Sequence, residues 1–179
     1  LALAQATGAP IPGVRAVADL YPSVLHVLHR EENNPIDLTG VLSGKAVWAG
    51  LPGGLGWRLG QEVIAETPMV KQPIWLSDPW STDPDVYFIF GGVLGVDARS
   101  RLPGFKLWSF DDPQRMGHGS VVEGIALRHP QLRPFVLPAA LYPELGREPA
   151  LTLAVSTLLV ARESIAESRI YNLAAEVER

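Results

Sequence analysis

The chain has no cysteine. Disulfides, thiolate metal sites and cysteine nucleophiles are therefore excluded. Charge is sparse, with 19% of residues ionised and a net charge of −4. No lysine run or basic stripe occurs, which argues against nucleic acid or an anionic membrane surface as a partner. No apolar run reaches the roughly 18 residues of a membrane span. The longest, near residues 151–161, carries Thr152, Ser156 and Thr157, so direct insertion into a bilayer is not expected. No signal peptide opens the chain and residue 1 is Leu. The expectation is a removed leader or a start inside a longer protein. What the chain does have is 47% hydrophobic residues in a length of 179, enough core for one domain or two small lobes. Sixteen prolines and seventeen glycines predict many short elements joined by turns.

The stretch LSGKAVWAGLPGGLGWRL, residues 42–59, organises the rest. It reads as a strand at 46–49, a glycine-rich turn at 50–56 and a helix from about Trp57. Such a turn lets the backbone approach a ligand, and its free N–H groups with the following helix N-terminus attract anions. Without fixed glycine spacing, the same pattern also describes a strand-to-helix turn that binds nothing.

Around it the chain alternates strands and helices. Residues 1–5 read as the end of a helix, and 24–28 as a strand flanked by His26 and His29, taken as strand-face residues rather than metal ligands. A helical turn is predicted over 36–44 and a helix over 57–66. A strand follows at 70–76, then an exposed loop holding Trp80, either a stacking residue or a cap on the core. VYFIF at 86–90 suits a strand covered on both faces. The pair Gly91-Gly92 follows at once, where open α/β sheets place ligands. Further strands are predicted at 105–110, 135–137 and 151–160, and helices at 121–128 and after a Ser164/Glu167 capping box. The alternation indicates α/β with a largely parallel sheet. His118 and Ser120, with Asp111 or Asp112, can be drawn as a hydrolase triad, but GHGS is not the G-x-S-x-G of a nucleophile elbow. No metal-ligand spacing appears, and no cofactor is expected.

Four patches carry a family resemblance. Leu20-Tyr21-Pro22 with 24–27 (VLHV) resembles "LYPE–LHVVV". Leu42, Gly44, Lys45, Val47 and Gly50, with Pro52 and Gly53, resemble "LKGKRVAVGPPGSGT". Leu137-Pro138-Ala139 with Tyr142-Pro143 resembles "IPAGTYPG", and 151–162 with Ile170-Tyr171 resembles "VPTVAVRALLVARADLPEDLVYEL". In this order the chain is similar to the TAXI family of TRAP-transporter solute receptors. The resemblance implies a periplasmic-binding-protein-like (type II) α/β fold of two lobes with mainly parallel sheets. One lobe takes residues 1–35 and 130–179, the other residues 36–129. Family members begin with a glycine-rich segment that has no counterpart here, so the first lobe is expected to be incomplete. The family's Ser and Thr in the turn fall on Gly54 and Gly56, which lack hydroxyls.

The same resemblance implies an extracytoplasmic, non-enzymatic receptor. It would capture a small organic anion, an amino acid or dicarboxylate, between its lobes and present it to membrane transporter subunits. Expected contacts are the amides of Gly53, Gly54 and Gly56, the side chains of Trp57, Arg58 and Tyr142, and Gly91 with Gly92. Arg58 offers a bidentate fork for a carboxylate, or is a solvated helix residue. The alternatives are a ligand-sensing or orphan binding domain of the same fold and, further off, the hydrolase.

Overall fold

Two long strands form the spine of the molecule. The computed structural model describes residues 2–6, 11–31, 35–65, 67, 71–78, 83–92, 94 and 102–177. Strand β1 is Ala2–Gln5 and β2 is Val14–Arg30; helix α1, Leu38–Leu42, leads into β3, Ala46–Trp48. Helix α2, Leu55–Ala65, precedes β4, Ile74–Trp75, and β5, Val86–Gly91. Then come β6, Phe105–Leu107, helix α3, Val121–Arg128, β7, Arg133–Leu137, β8, Ala150–Arg162, and helix α4, Glu167–Val177. Among the described residues these strands make one eight-stranded sheet, ordered β1-β8-β2-β5-β3-β4, with β6 on β2 and β7 on β8.

The sheet is mixed α/β, but it corrects the expectation of mainly parallel sheets. Only β3–β4 and β3–β5 run parallel among the described pairings. The others, including β2 with β8 and β2 with β5, are antiparallel. Residue pattern reports which faces are buried. It does not report the direction of the neighbouring strand.

Period-two alternation explains the two cores. Leu25 and Val27 of β2, Phe88 of β5 and Leu151, Leu153 and Val155 of β8 face α1, α2 and α3. Val24 and Leu28 of β2 and Ala150 and Ala154 of β8 face the opposite way, onto Phe105, Leu137, Tyr142 and Leu145. One face is thus covered by helices and the other by connecting segments. Helix α1 is a single turn held by its cap, with Asp37 Oδ1 accepting from the Gly40 amide at 2.7 Å. Asp37→Ala should lower unfolding stability by about 1 kcal/mol, read as a shift in the urea midpoint with unchanged slope.

Beyond the core, β1, the first half of β2 and the last part of β8 continue as an extension, with α4 lying on β2. Arg15 ties α4 in place, Nη2 donating to the Ile165 carbonyl while Nη1 lies 3.6 Å from Glu167.

Several local expectations change. Residues 2–5 form a strand because the edge of β8 offers them backbone partners, whereas so short a helix would not hold alone. Tyr21 and Pro22 do not interrupt β2; pairing with β5 begins only at Val24, so at Pro22 a missing N–H costs no bond on that side. The predicted strand 70–76 shrinks to Ile74–Trp75, and 105–110 to Phe105–Leu107. Helix α4 starts at Glu167, with Arg169 and Ile170 amides bonded to the Ala166 carbonyl, so Ser164 precedes the helix rather than capping it. Trp80 lies outside the described residues. No helix among the described residues is long and apolar enough to cross a membrane.

Candidate functional site

The glycine bend turns the chain from β3 into α2 in a few residues. Gly50 and Gly53 adopt positive φ, +90° and +79°, a region costly to other residues. Gly54 donates its amide to the Leu51 carbonyl at 2.9 Å and accepts from the Arg58 amide at 3.0 Å. Its N–H, expected to be free, is therefore used within the bend. Gly56 passes so close to β3 that a Cβ there would stand 2.6 Å from the Ala49 carbonyl oxygen. The amides at the start of α2 have no preceding helical turn to bond. Beside them lies a cavity of about 300 Å³, bounded by residues 48–51, by Gly54, Leu55 and Gly56, and by residues 88–90. It sits at the carboxyl ends of the parallel strands β3 and β5.

The expected contacts divide. Gly54 and Gly56 line this cavity; Gly53, Trp57, Arg58 and Gly91 do not. The Trp57 ring packs on Trp75, centroids 5.4 Å apart, which anchors α2 to β4. Arg58 is exposed on the first turn of α2, and its side chain makes no hydrogen bond or ion pair with the described residues. The Trp48 indole nitrogen is buried without an acceptor among the described residues; the ring meets Tyr87 edge to face, centroids 5.7 Å apart.

Gly92 and Tyr142 line a different cavity, of about 450 Å³, on the face of β2 away from α2. There a hydrogen-bonded chain that no sequence motif announces joins residues far apart. The Ile89 carbonyl can only accept, so His26 Nδ1, 3.3 Å away, carries the proton. His26 Nε2 then accepts from the Tyr142 hydroxyl at 3.0 Å, and that hydroxyl accepts from the Leu94 amide at 2.7 Å. Burial pushes the His26 imidazole down to about 4, overriding the opposite pull of its bond to Ile89. The ring is neutral at pH 7.

A third opening, of about 840 Å³, is one of which the sequence pattern gives no hint. It lies where residues 102–109 and 143–150 meet the end of β2, with His29 and the Lys106–Glu31 ion pair (2.9 Å) on its wall. His29 Nδ1 donates to the Arg30 carbonyl at 2.8 Å, and burial lowers its pKa. No local motif marks such a groove, because loops distant in sequence form it.

The GHGS segment does not assemble a triad. The Ser120 hydroxyl donates to Glu123 at 2.8 Å, in a cap of α3, and Asp111 binds Arg115 and the Val121 amide. Neither is bonded to the His118 ring. Among the described residues no three His, Asp or Glu side chains come together as a metal site needs. No family model matches the chain, and no curated protein matches it.

Proposed function

We propose that the chain is an extracytoplasmic solute-binding protein that captures a small organic anion, an amino acid or dicarboxylate, in the manner of the TAXI receptors it resembles. One observation carries the reading: a cavity opens beside the glycine bend at the carboxyl ends of β3 and β5, next to the open amides of α2. That is where open α/β sheets hold ligands, and a helix N-terminus favours negative charge. Its size stands at the lower end of the roughly 300–1,000 Å³ of small-molecule sites. A carboxylate would meet main-chain N–H groups there, and the apolar part of the ligand would lie against Leu55, Phe88 and Phe90. Capture needs no bond chemistry. A closing motion would then present the complex to transporter subunits. A sensing or orphan domain of the same fold is the second reading. Gly54 and Gly56 favour it, since they stand where the family carries hydroxyls.

A thermal-shift screen of amino acids, dicarboxylates and monocarboxylates tests the proposal. A ligand present at about 100 times its Kd stabilises the folded chain by about 2.7 kcal/mol, and the melting temperature rises accordingly. Arg58→Ala should weaken an anionic hit about tenfold if its guanidinium reaches the ligand. Unchanged affinity removes Arg58 from the site. No response to any of these acids at millimolar concentration rejects the receptor reading.

A further inference from the structure

The cavity beside Tyr142 shares no lining residue with the one at the glycine bend. Its floor is one face of β2, where Val24 and His26 point the same way; Phe135 and Leu137 of β7 and the following Leu141 and Tyr142 form its wall. No charged side chain is among the described residues that line it. Two of its three polar side chains, His26 and Tyr142, are buried and bonded to each other, with His26 also on Ile89 and Tyr142 on Leu94, while the third, Tyr21, stands exposed at its edge. From these facts we infer that this cavity is a second binding site, for an uncharged, apolar small molecule.

The chemistry excludes other guests. A charged group would leave water there for a place with no counter-ion among the described residues, a heavy penalty. A polar guest gains little, because the hydrogen bonds of the floor are already made. An extended peptide finds no main-chain partner: at Val24 the two edges of β2 are taken by Gly91 of β5 and Ala154 of β8. What remains is apolar contact inside a concave volume of about 450 Å³, ample for a ring or a short aliphatic chain. Burying such a body stabilises the complex by its apolar area.

Fluorine NMR on the full chain tests this with fluorobenzene and its charged match, para-fluorobenzoate. Fluorobenzene should bind, and the benzoate should bind at least about tenfold more weakly, a difference of ~1.4 kcal/mol. Leu141→Trp fills the cavity from a half-buried position and should weaken fluorobenzene by about tenfold or more. If that variant does not fold, amide and methyl shift mapping on the unaltered protein decides. Shifts confined to Val24, Phe135, Leu137 and Leu141 support the inference. No binding at millimolar fluorobenzene, tighter binding of the benzoate, undiminished binding by folded Leu141→Trp, or shifts clustered at the start of α2 each overturn it. None of these results bears on anion capture at the glycine bend, which the thermal-shift screen decides separately.

Discussion

Gly56→Ala should destabilise the fold by about 3 kcal/mol, more than any other glycine-to-alanine change in the bend. The new Cβ would stand 2.6 Å from the Ala49 carbonyl oxygen and 3.6 Å from that of Phe88. Both are main-chain atoms, one in β5 and the other just past the end of β3. Neither can swing aside as a side chain would, so α2 must lift from β3 and part of the core around Leu59 and Val63 must open with it. Two controls separate this clash from the general effect of replacing glycine, which by itself favours alanine through the unfolded chain. Gly54→Ala meets the Leu51 carbonyl at 3.0 Å and should cost less. At Gly91 nothing lies within 4 Å, so Gly91→Ala should stay within about 0.5 kcal/mol of the parent. Urea titrations followed by tryptophan fluorescence give the order directly. Equal losses at Gly56 and Gly91 would mean the bend is not packed on β3.

This explains why the bend was legible and its chemistry less so. Glycines in a strand-to-helix turn announce a backbone that needs positive φ or close approach, and residues 50–56 use them for both. The same glycines would serve a ligand or only the turn, and sequence alone does not separate the two. Elements with strong local signals were legible too: helix 121–128 falls where its pattern predicts, 151–160 is a mostly buried strand, and 86–90 is a strand buried at Val86 and Phe88 and half-buried at the other three residues. β1 was not, because the four residues Ala-Leu-Ala-Gln are too few to carry a pattern of their own and take their form from β8. The sheet's direction was not, because β2 pairs with β8 across more than a hundred residues, and side-chain periodicity is the same for either orientation. The Tyr142–His26 pair was half visible. Tyr142 stood out in a family-like loop and His26 in a strand, but 116 residues separate them and only the fold joins them.

That pair makes the folded chain sensitive to acid in a defined window. His26 has a pKa of about 4 when folded, against 6.5 as the ordinary value, because burial removes its imidazolium from water. Between those values the unfolded chain binds a proton that the folded chain does not. Stability therefore rises with pH across the window and is lost as pH falls through it. The gap corresponds to about 3 kcal/mol at ~1.4 kcal/mol per pH unit, and His29, also lowered mainly by burial, adds in the same direction. Below pH 4 the folded ring takes up the proton as well, and its Nε2 can no longer accept from Tyr142. The Glu123 carboxyl, held below its ordinary 4.5 by bonds from Ser120, acts only at the acid end of this range. His26→Gln isolates the histidine, since an amide oxygen can take the Tyr142 hydroxyl but does not titrate here. Urea midpoints measured from pH 7 to pH 4 should fall steeply for the parent and much less for the variant. Parallel curves would show that His26 is not held neutral against Tyr142.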